Sequence, residues 1–281
     1  MNLGAHMSIA GGHHLACERG RDLACDVIQI FVKNQRQWAA APLGDAEVSQ
    51  YRASQKASGI HTAFAHDTYL INLAAADAAM WKKSVDAFVD ELERCEALGL
   101  AFLVTHPGSP GESGEEAGIR QMSRGLTEAL SRTKGFRVRV LLETTAGQGS
   151  TLGWKFEQMK AILDGVKEAD RIGFCFDTAH VFAAGYDLST AEGYESTMDS
   201  FDRVLGIKRL EAFHVNDSKK GLGCRVDRHE NIGKGMIGLD AFRRLMRDPR
   251  FKKVPKVIET PKEGDMDSVN LGLLRGMASN R

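Results

Sequence analysis

Short apolar runs recur along this chain of 281 residues, and six consecutive ones end in a histidine, aspartate or glutamate. His66, His106, Glu143, Asp177, His214 and Glu259 follow one another with gaps of 40, 37, 34, 37 and 45 residues. A (β/α)8 barrel spends about 250 residues on eight strand–helix units, so each gap is roughly one unit. The repeat therefore predicts parallel strands joined by helices, with a polar residue at the carboxyl end of each strand.

The apolar runs predict strands at Leu3–Met7, Val27–Val32, Thr62–Ala65, Ala101–Thr105, Val138–Leu142, Ile172–Phe176, Leu210–Val215 and Lys256–Ile258. Amphipathic spacing predicts helices at Ser84–Leu98, Gly118–Leu130, Lys155–Leu163, Glu192–Leu205 and Leu239–Met246. In the first of these, Val85, Phe88, Val89, Leu92, Cys95 and Leu98 share one face, and Gly99 follows as a stop. Eight repeats favour an α/β fold: a closed parallel (β/α)8 TIM barrel, as one domain over residues 1–281. An open doubly wound sheet competes, but no G-x-G-x-x-G follows the first strand.

Composition removes other classes. Basic and acidic residues number 37 each, so bulk charge announces neither nucleic acid nor membrane. Five scattered cysteines without a C-x-x-C pair fit a reducing compartment and argue against a disulfide framework. The N-terminus has no basic stretch leading into an apolar one, and no apolar run reaches ~18 residues. Neither a secretory signal nor a membrane span is expected.

In a barrel all strand carboxyl ends meet at one rim, where active sites are built. Imidazoles and carboxylates gathered there form the ligand set of zinc and related divalent metals. His180 stands three residues after Asp177. Asp227 and His229 stand two apart in RVDRHENIGKG, so an extended segment points both to one side. Each residue alone has a plainer reading. A histidine at a strand end commonly just hydrogen-bonds, Asp177 can N-cap the next helix, and Asp227 and His229 fit a solvated loop. The phase shared by six groups and six strands favours a multi-metal site. His6 faces the same rim and is assigned no metal. His13, His14 and His61 are expected on the surface or in loops.

The motifs KNQRQW, HDTYLINLA, THPGS, ETTAGQGSTLG, FDTAHVFAAGYD, FHVNDSKKGLGCRVDRHENIGKG and VIET resemble the endonuclease IV family, from Gly4 to about Pro261. Those proteins are zinc-dependent apurinic/apyrimidinic endonucleases of DNA base-excision repair. The resemblance implies three zinc ions per chain, with manganese suited to similar ligands. By similarity His66, His106 and Glu143 would bind one ion. Asp177, His214 and Glu259 would bind a second, with Glu143 bridging as the catalytic carboxylate. His180, Asp227 and His229 would bind the third.

The implied reaction is hydrolysis of duplex DNA 5′ to an abasic site, leaving a 3′-hydroxyl and a 5′-deoxyribose phosphate. Trimming of 3′ ends is an implied secondary activity. Gln35, Arg36, Tyr69 and Leu70 would probe the minor groove and base stack. Without the resemblance, Tyr69 and Leu70 read as core and Arg36 as a solvated loop. Lys33, Lys219, Lys220, Arg225 and Arg228 are candidate phosphate contacts or ordinary surface charge.

Three positions depart from the family pattern: Ala65 where proline is usual, Thr144 where asparagine is, and Ala179 where cysteine is common. None removes a ligand, although Thr144 is placed to alter hydrogen bonding to Glu143. A cytoplasmic monomer with no obligate protein partner is expected. The alternatives are a silent binder of damaged DNA and a metal-dependent sugar isomerase or epimerase on the same barrel. The latter chemistry needs only one or two metals and leaves the third set without a task.

Overall fold

The computed structural model describes residues 1–279. Seven parallel strands follow one another around a barrel: β1 (Leu3–His6), β2 (Val27–Ile30), β3 (Thr62–His66), β4 (Phe102–Thr105), β5 (Arg139–Glu143), β6 (Ile172–Asp177) and β7 (Leu210–His214). Outside it, β8 (Asp217–Ser218) and β9 (His229–Glu230) form a short antiparallel pair. The eighth barrel strand, β10 (Lys256–Ile258), lies between β7 and β1 and closes the ring. The closed alternative is thus the observed one, and the eight predicted strands agree to within two residues at each end.

The helices are α1 (His13–Asp22), α2 (Asp45–Ser58), α3 (Ala78–Leu98), α4 (Glu115–Arg132), α5 (Phe156–Asp164), α6 (Thr178–Ala184), α7 (Ala191–Leu205), α8 (Leu239–Arg247) and α9 (Met266–Ala278). The periodicity located α3, α4, α5, α7 and α8. It missed α1, α2, α6 and α9, for physical reasons. In α2 only Tyr51 is buried. In α6 the residues Thr178–Ala183 are buried all round, so no apolar stripe exists to detect.

Two apolar layers hold the barrel. Outward-facing strand residues such as Ile28, Ile30, Leu103, Leu142, Phe174 and Phe213 pack under the helices in one large cluster. Helix α7 contributes Tyr194, Met198, Phe201 and Leu205 from one face. Each fully buried side chain of this kind contributes about 1.5–3 kcal/mol. Inside the barrel, Val27, Phe64, Val104, Leu141, Cys175, Ala212 and Val257 form a second cluster, one residue from each of seven strands. The eighth strand, β1, supplies Gly4 in the corresponding place. A Cβ there would collide with the Val27 carbonyl, so only glycine lets β1 and β2 approach.

His13 does not lie in a loop or on the surface. It opens α1, is buried, and sits 2.7 Å from Glu47 through Nδ1 and 3.1 Å from the Val32 carbonyl through Nε2. His14 is half-buried and His61 exposed.

Candidate metal centre

The inner cluster explains how the rim is built. Side chains alternate faces along a strand, so a residue two beyond an interior one points the same way. Two residues after Phe64, Val104, Leu141, Cys175, Ala212 and Val257 come His66, His106, Glu143, Asp177, His214 and Glu259. The pleat that buries the apolar layer therefore turns six polar groups inward over it. The same step from Gly4 and Val27 reaches His6 and Gln29.

Glu143, fully buried, occupies the middle. Its Oε2 lies 3.0 Å from His66 Nε2 and 3.3 Å from His106 Nε2. Its Oε1 lies 2.9 Å from His214 Nδ1 and 3.2 Å from His180 Nδ1. One carboxylate thus faces two groups of imidazoles, one with each oxygen. His214 Nδ1 is also 3.2 Å from Glu259. Farther along the rim, His180 Nε2 lies 3.2 Å from Asp227 and 3.4 Å from His229 Nε2. His229 Nε2 in turn lies 3.5 Å from Asp227 and 3.6 Å from Asp177.

Three groups have donor atoms within 4.8 Å of one another: His66, His106 and Glu143; Glu143, Asp177, His214 and Glu259; and Asp177, His180 and His229. The first two match the sets expected from sequence, with Glu143 in both. In the third, Asp177 stands where Asp227 was expected. Asp227 nevertheless presents its two oxygens to the same pair of imidazoles. All nine predicted residues therefore come together at one rim.

The donor chemistry suits a divalent cation such as zinc. Four of the five rings are oriented by a hydrogen bond on one ring nitrogen. Nδ1 of His66 donates to the Asp67 carbonyl at 2.8 Å, and Nδ1 of His180 to the Thr144 carbonyl at 2.8 Å. Nδ1 of His229 donates to the Glu259 carbonyl at 3.3 Å, and Nε2 of His214 to Gln29 Oε1 at 2.7 Å. Each bond leaves a lone pair on the other ring nitrogen, as ligation requires. Protons compete for those nitrogens. Burial lowers the His66 pKa, but Glu143 beside it outweighs burial and raises it to about 9. Burial raises Glu143, yet His214 and His106 hold it well below the usual carboxylate range.

Sequence reasoning missed Gln29 and Asn216. Gln29 is fully buried and donates to Glu259 Oε1 at 2.5 Å. Asn216 donates to Asp177 Oδ2 at 2.7 Å and accepts the Glu259 N–H at 2.7 Å. A polar residue at an inward strand position, as in VIQI, was the available signal for Gln29. Thr144 does not act on the Glu143 carboxylate as anticipated: its hydroxyl accepts the Asp177 N–H at 2.9 Å.

The loops above the rim differ in what they present. Tyr69 is 63% exposed, with its ring 5.5 Å from that of His66 and 6.2 Å from that of His106. Arg36 is exposed, whereas Gln35 and Leu70 are half-buried. Lys33 is not a surface cation free to meet phosphate. Its ammonium is buried, 2.9 Å from Asp90 and 3.3 Å from Glu91. Arg225 is also engaged, donating twice to the Gly147 carbonyl at 3.0 and 2.7 Å and lying 4.2 Å above the Trp154 ring. Gly147 has a positive φ of 73°, and a Cβ there would come within 2.5 Å of Trp154. Lys219, Lys220 and Arg228 remain exposed. Arg228 lines a cavity of ≈ 250 Å³ together with His106, Gln148, His180 and Asp227.

Comparison with known proteins bears on this geometry. The family model described as a xylose isomerase-like TIM barrel matches residues 17–277. A probable endonuclease 4 from Geobacter sp. (strain M21) is 50% identical over 277 residues, covering 98% of each chain. The crystal structure of endonuclease IV from Thermus thermophilus superposes with a TM-score of 0.88 at 35% identity, over 99% of this chain and 98% of that one. A D-tagatose 3-epimerase-like protein superposes with a TM-score of 0.74 at 16% identity, over 99% of this chain and 97% of that one, a likeness of fold alone.

Proposed function

We propose a function on one premise: the chain belongs to the endonuclease IV family. It is an apurinic/apyrimidinic endonuclease of base-excision repair, hydrolysing duplex DNA 5′ to an abasic site and leaving a 3′-hydroxyl and a 5′-deoxyribose phosphate. The observation that carries this reading is Glu143, buried and turning one oxygen to His66 and His106 and the other to His214. A carboxylate so placed is suited to two cations at once.

His66, His106 and Glu143 would hold one zinc, and Asp177, His214 and Glu259 a second shared with Glu143. His180, Asp227 and His229 would hold a third. Bound zinc would supply Lewis acidity toward a phosphodiester and water with a pKa near 7. The chain's own part is positional. Gln29 and Asn216 fix Glu259, His214 and Asp177 from behind. Arg228, exposed at the mouth of the ≈ 250 Å³ cavity, is placed to meet a phosphate. Tyr69, beside His66 and His106, and Leu70 next to it in sequence would occupy the space of a missing base, while Gln35 and Arg36 follow the groove. An abasic nucleotide has little stacking to lose, so turning it toward the rim is cheap.

Acting in the cytoplasm agrees with five free cysteines, and among the described residues no helix is long and apolar enough to cross a membrane. Sugar epimerisation is disfavoured, because it gives the third ligand set nothing to do. The test is incision of a duplex carrying one stable abasic analogue, with bound metal counted on the same sample. Three zinc ions per chain and a single cut 5′ to the lesion are expected. A fully loaded protein that leaves the duplex intact would refute the nuclease reading.

A further inference from the structure

The stretch RVDRHENIGKG carries two glycines, Gly233 and Gly235, that no step of phosphodiester hydrolysis uses. In the structure they close around Asp217. This carboxylate is fully buried and accepts four backbone N–H groups. Oδ1 accepts from Ser218 at 2.8 Å and Ile237 at 3.0 Å, and Oδ2 from Gly233 at 2.9 Å and Gly235 at 3.0 Å. A Cβ on Gly235 would run into the Ser218 carbonyl and the Asp217 carboxylate, so the chain passes this close only as glycine.

His229 lies inside this wrapping. The register of β8 and β9 pairs Asp217 with Glu230 and Ser218 with His229. After β9 the chain turns around Asp217 through residues 233–237, and the Met236 N–H returns to the Ser218 carbonyl at 2.8 Å. A two-residue strand pair has little stability of its own. Yet His229 must arrive 3.4 Å from His180 Nε2, which α6 holds against the barrel. Four convergent amides on one anion form a rigid nest of the kind that fixes a loop.

We propose that Asp217 is a positioning residue for the third ligand set, its nest fixing the β8–β9 pair so that His229 and Asp227 meet His180. The assignment rests on the three-ion reading above. A neutral side chain cannot replace it. Asparagine offers one oxygen where the nest needs two, and its NH2 group faces amides that also donate.

Asp217→Asn tests this, with bound zinc counted and each site's affinity measured by chelator competition. Cobalt(II) loading reports ligand geometry by its visible spectrum. One of three ions should bind at least about tenfold more weakly, the scale found for partners that orient metal ligands, while the other two are unchanged. The cobalt spectrum should lose one component. Three ions held by Asp217→Asn with wild-type affinities would overturn the assignment and leave the three-ion reading standing. Fewer than three ions on the wild-type protein would instead overturn that reading, and this assignment with it. Should Asp217→Asn not fold, hydrogen exchange on the wild-type protein decides. Filling the third site should slow exchange at Gly233, Gly235 and Ile237, and unchanged exchange there would overturn the proposal.

Discussion

Replacing Gln29 by leucine isolates what lies behind the metal ligands. The side chain is fully buried in β2, 2.5 Å from Glu259 Oε1, 2.7 Å from His214 Nε2 and 2.9 Å from His6 Nδ1. Leucine roughly preserves the volume and removes all three bonds, two of them to candidate metal ligands. The His214 N–H would then face a methyl group, and Glu259 would lose a donor. A buried polar group left unpaired costs about 1–3 kcal/mol, so two in a rigid site give about 2–6 kcal/mol. His6 Nδ1, 3.6 Å from Glu259, is close enough to recover part of that. The loss of a partner that orients a metal ligand typically weakens binding about 10–100-fold, or about 1.4–2.7 kcal/mol. The lower range is expected here, and it should fall on the His214–Glu259 set while sparing His66 and His106. Competition with a chromophoric zinc chelator at neutral pH reads the affinities, with thermal unfolding run alongside. One weakened site among three supports the reasoning. Wild-type affinity at every site would refute it, because the two hydrogen bonds would then contribute nothing to holding the ion.

Removing the metals should abolish DNA binding as well as turnover. The formal charge of the bare chain is zero, and three dications would add six charges at the rim. A folded, metal-free protein with undiminished affinity in a fluorescence-anisotropy titration contradicts this. Zinc uptake should release protons at neutral pH, since His66 is raised from 6.5 to about 9 by Glu143 despite burial. A raised pKa gives the metal-free chain stability that is full below about pH 6.5 and lost as pH climbs through about 9, while zinc affinity climbs over the same window. Calorimetric heats that do not vary with buffer ionisation enthalpy would argue against proton release. Asp227→Ala should keep the fold, hold two ions rather than three and lose most turnover; near-normal rates would remove the third ion from the chemistry.

The architecture was legible because strand and helix repeat with a fixed stride. A histidine or carboxylate at each strand end kept the count even where the helical pattern was faint. The six inward-facing polar residues on strand ends were readable for the same reason. What sequence hid was a matter of direction and of partners far along the chain. Gln29 shares the inward phase of His66 and Glu143, but a lone glutamine in VIQI gives no sign that it meets residues 185 and 230 positions away. Lys33 looked like a free cation because Asp90 and Glu91, which neutralise it, sit on a helix 57 or more residues later. His13 looked superficial because its partner Glu47 belongs to α2, a helix too polar to announce itself. Which acid goes with which pair of imidazoles, as with Asp177 and Asp227 around His180 and His229, is decided by loop geometry that spacing cannot supply.

The two readings first weighed for Asp177 turn out to be compatible. Its Oδ1 accepts the His180 N–H at 2.8 Å and so starts α6, while its Oδ2 faces the cluster beside His229. One side chain is therefore both the first peg of a helix and part of the cage at its mouth. An ion held there could not leave without loosening the segment that carries His180, nor could that segment fray without disturbing the ion's ligands. Loss of an ion from this corner should accordingly be read in the backbone as well, as faster amide exchange at the start of α6.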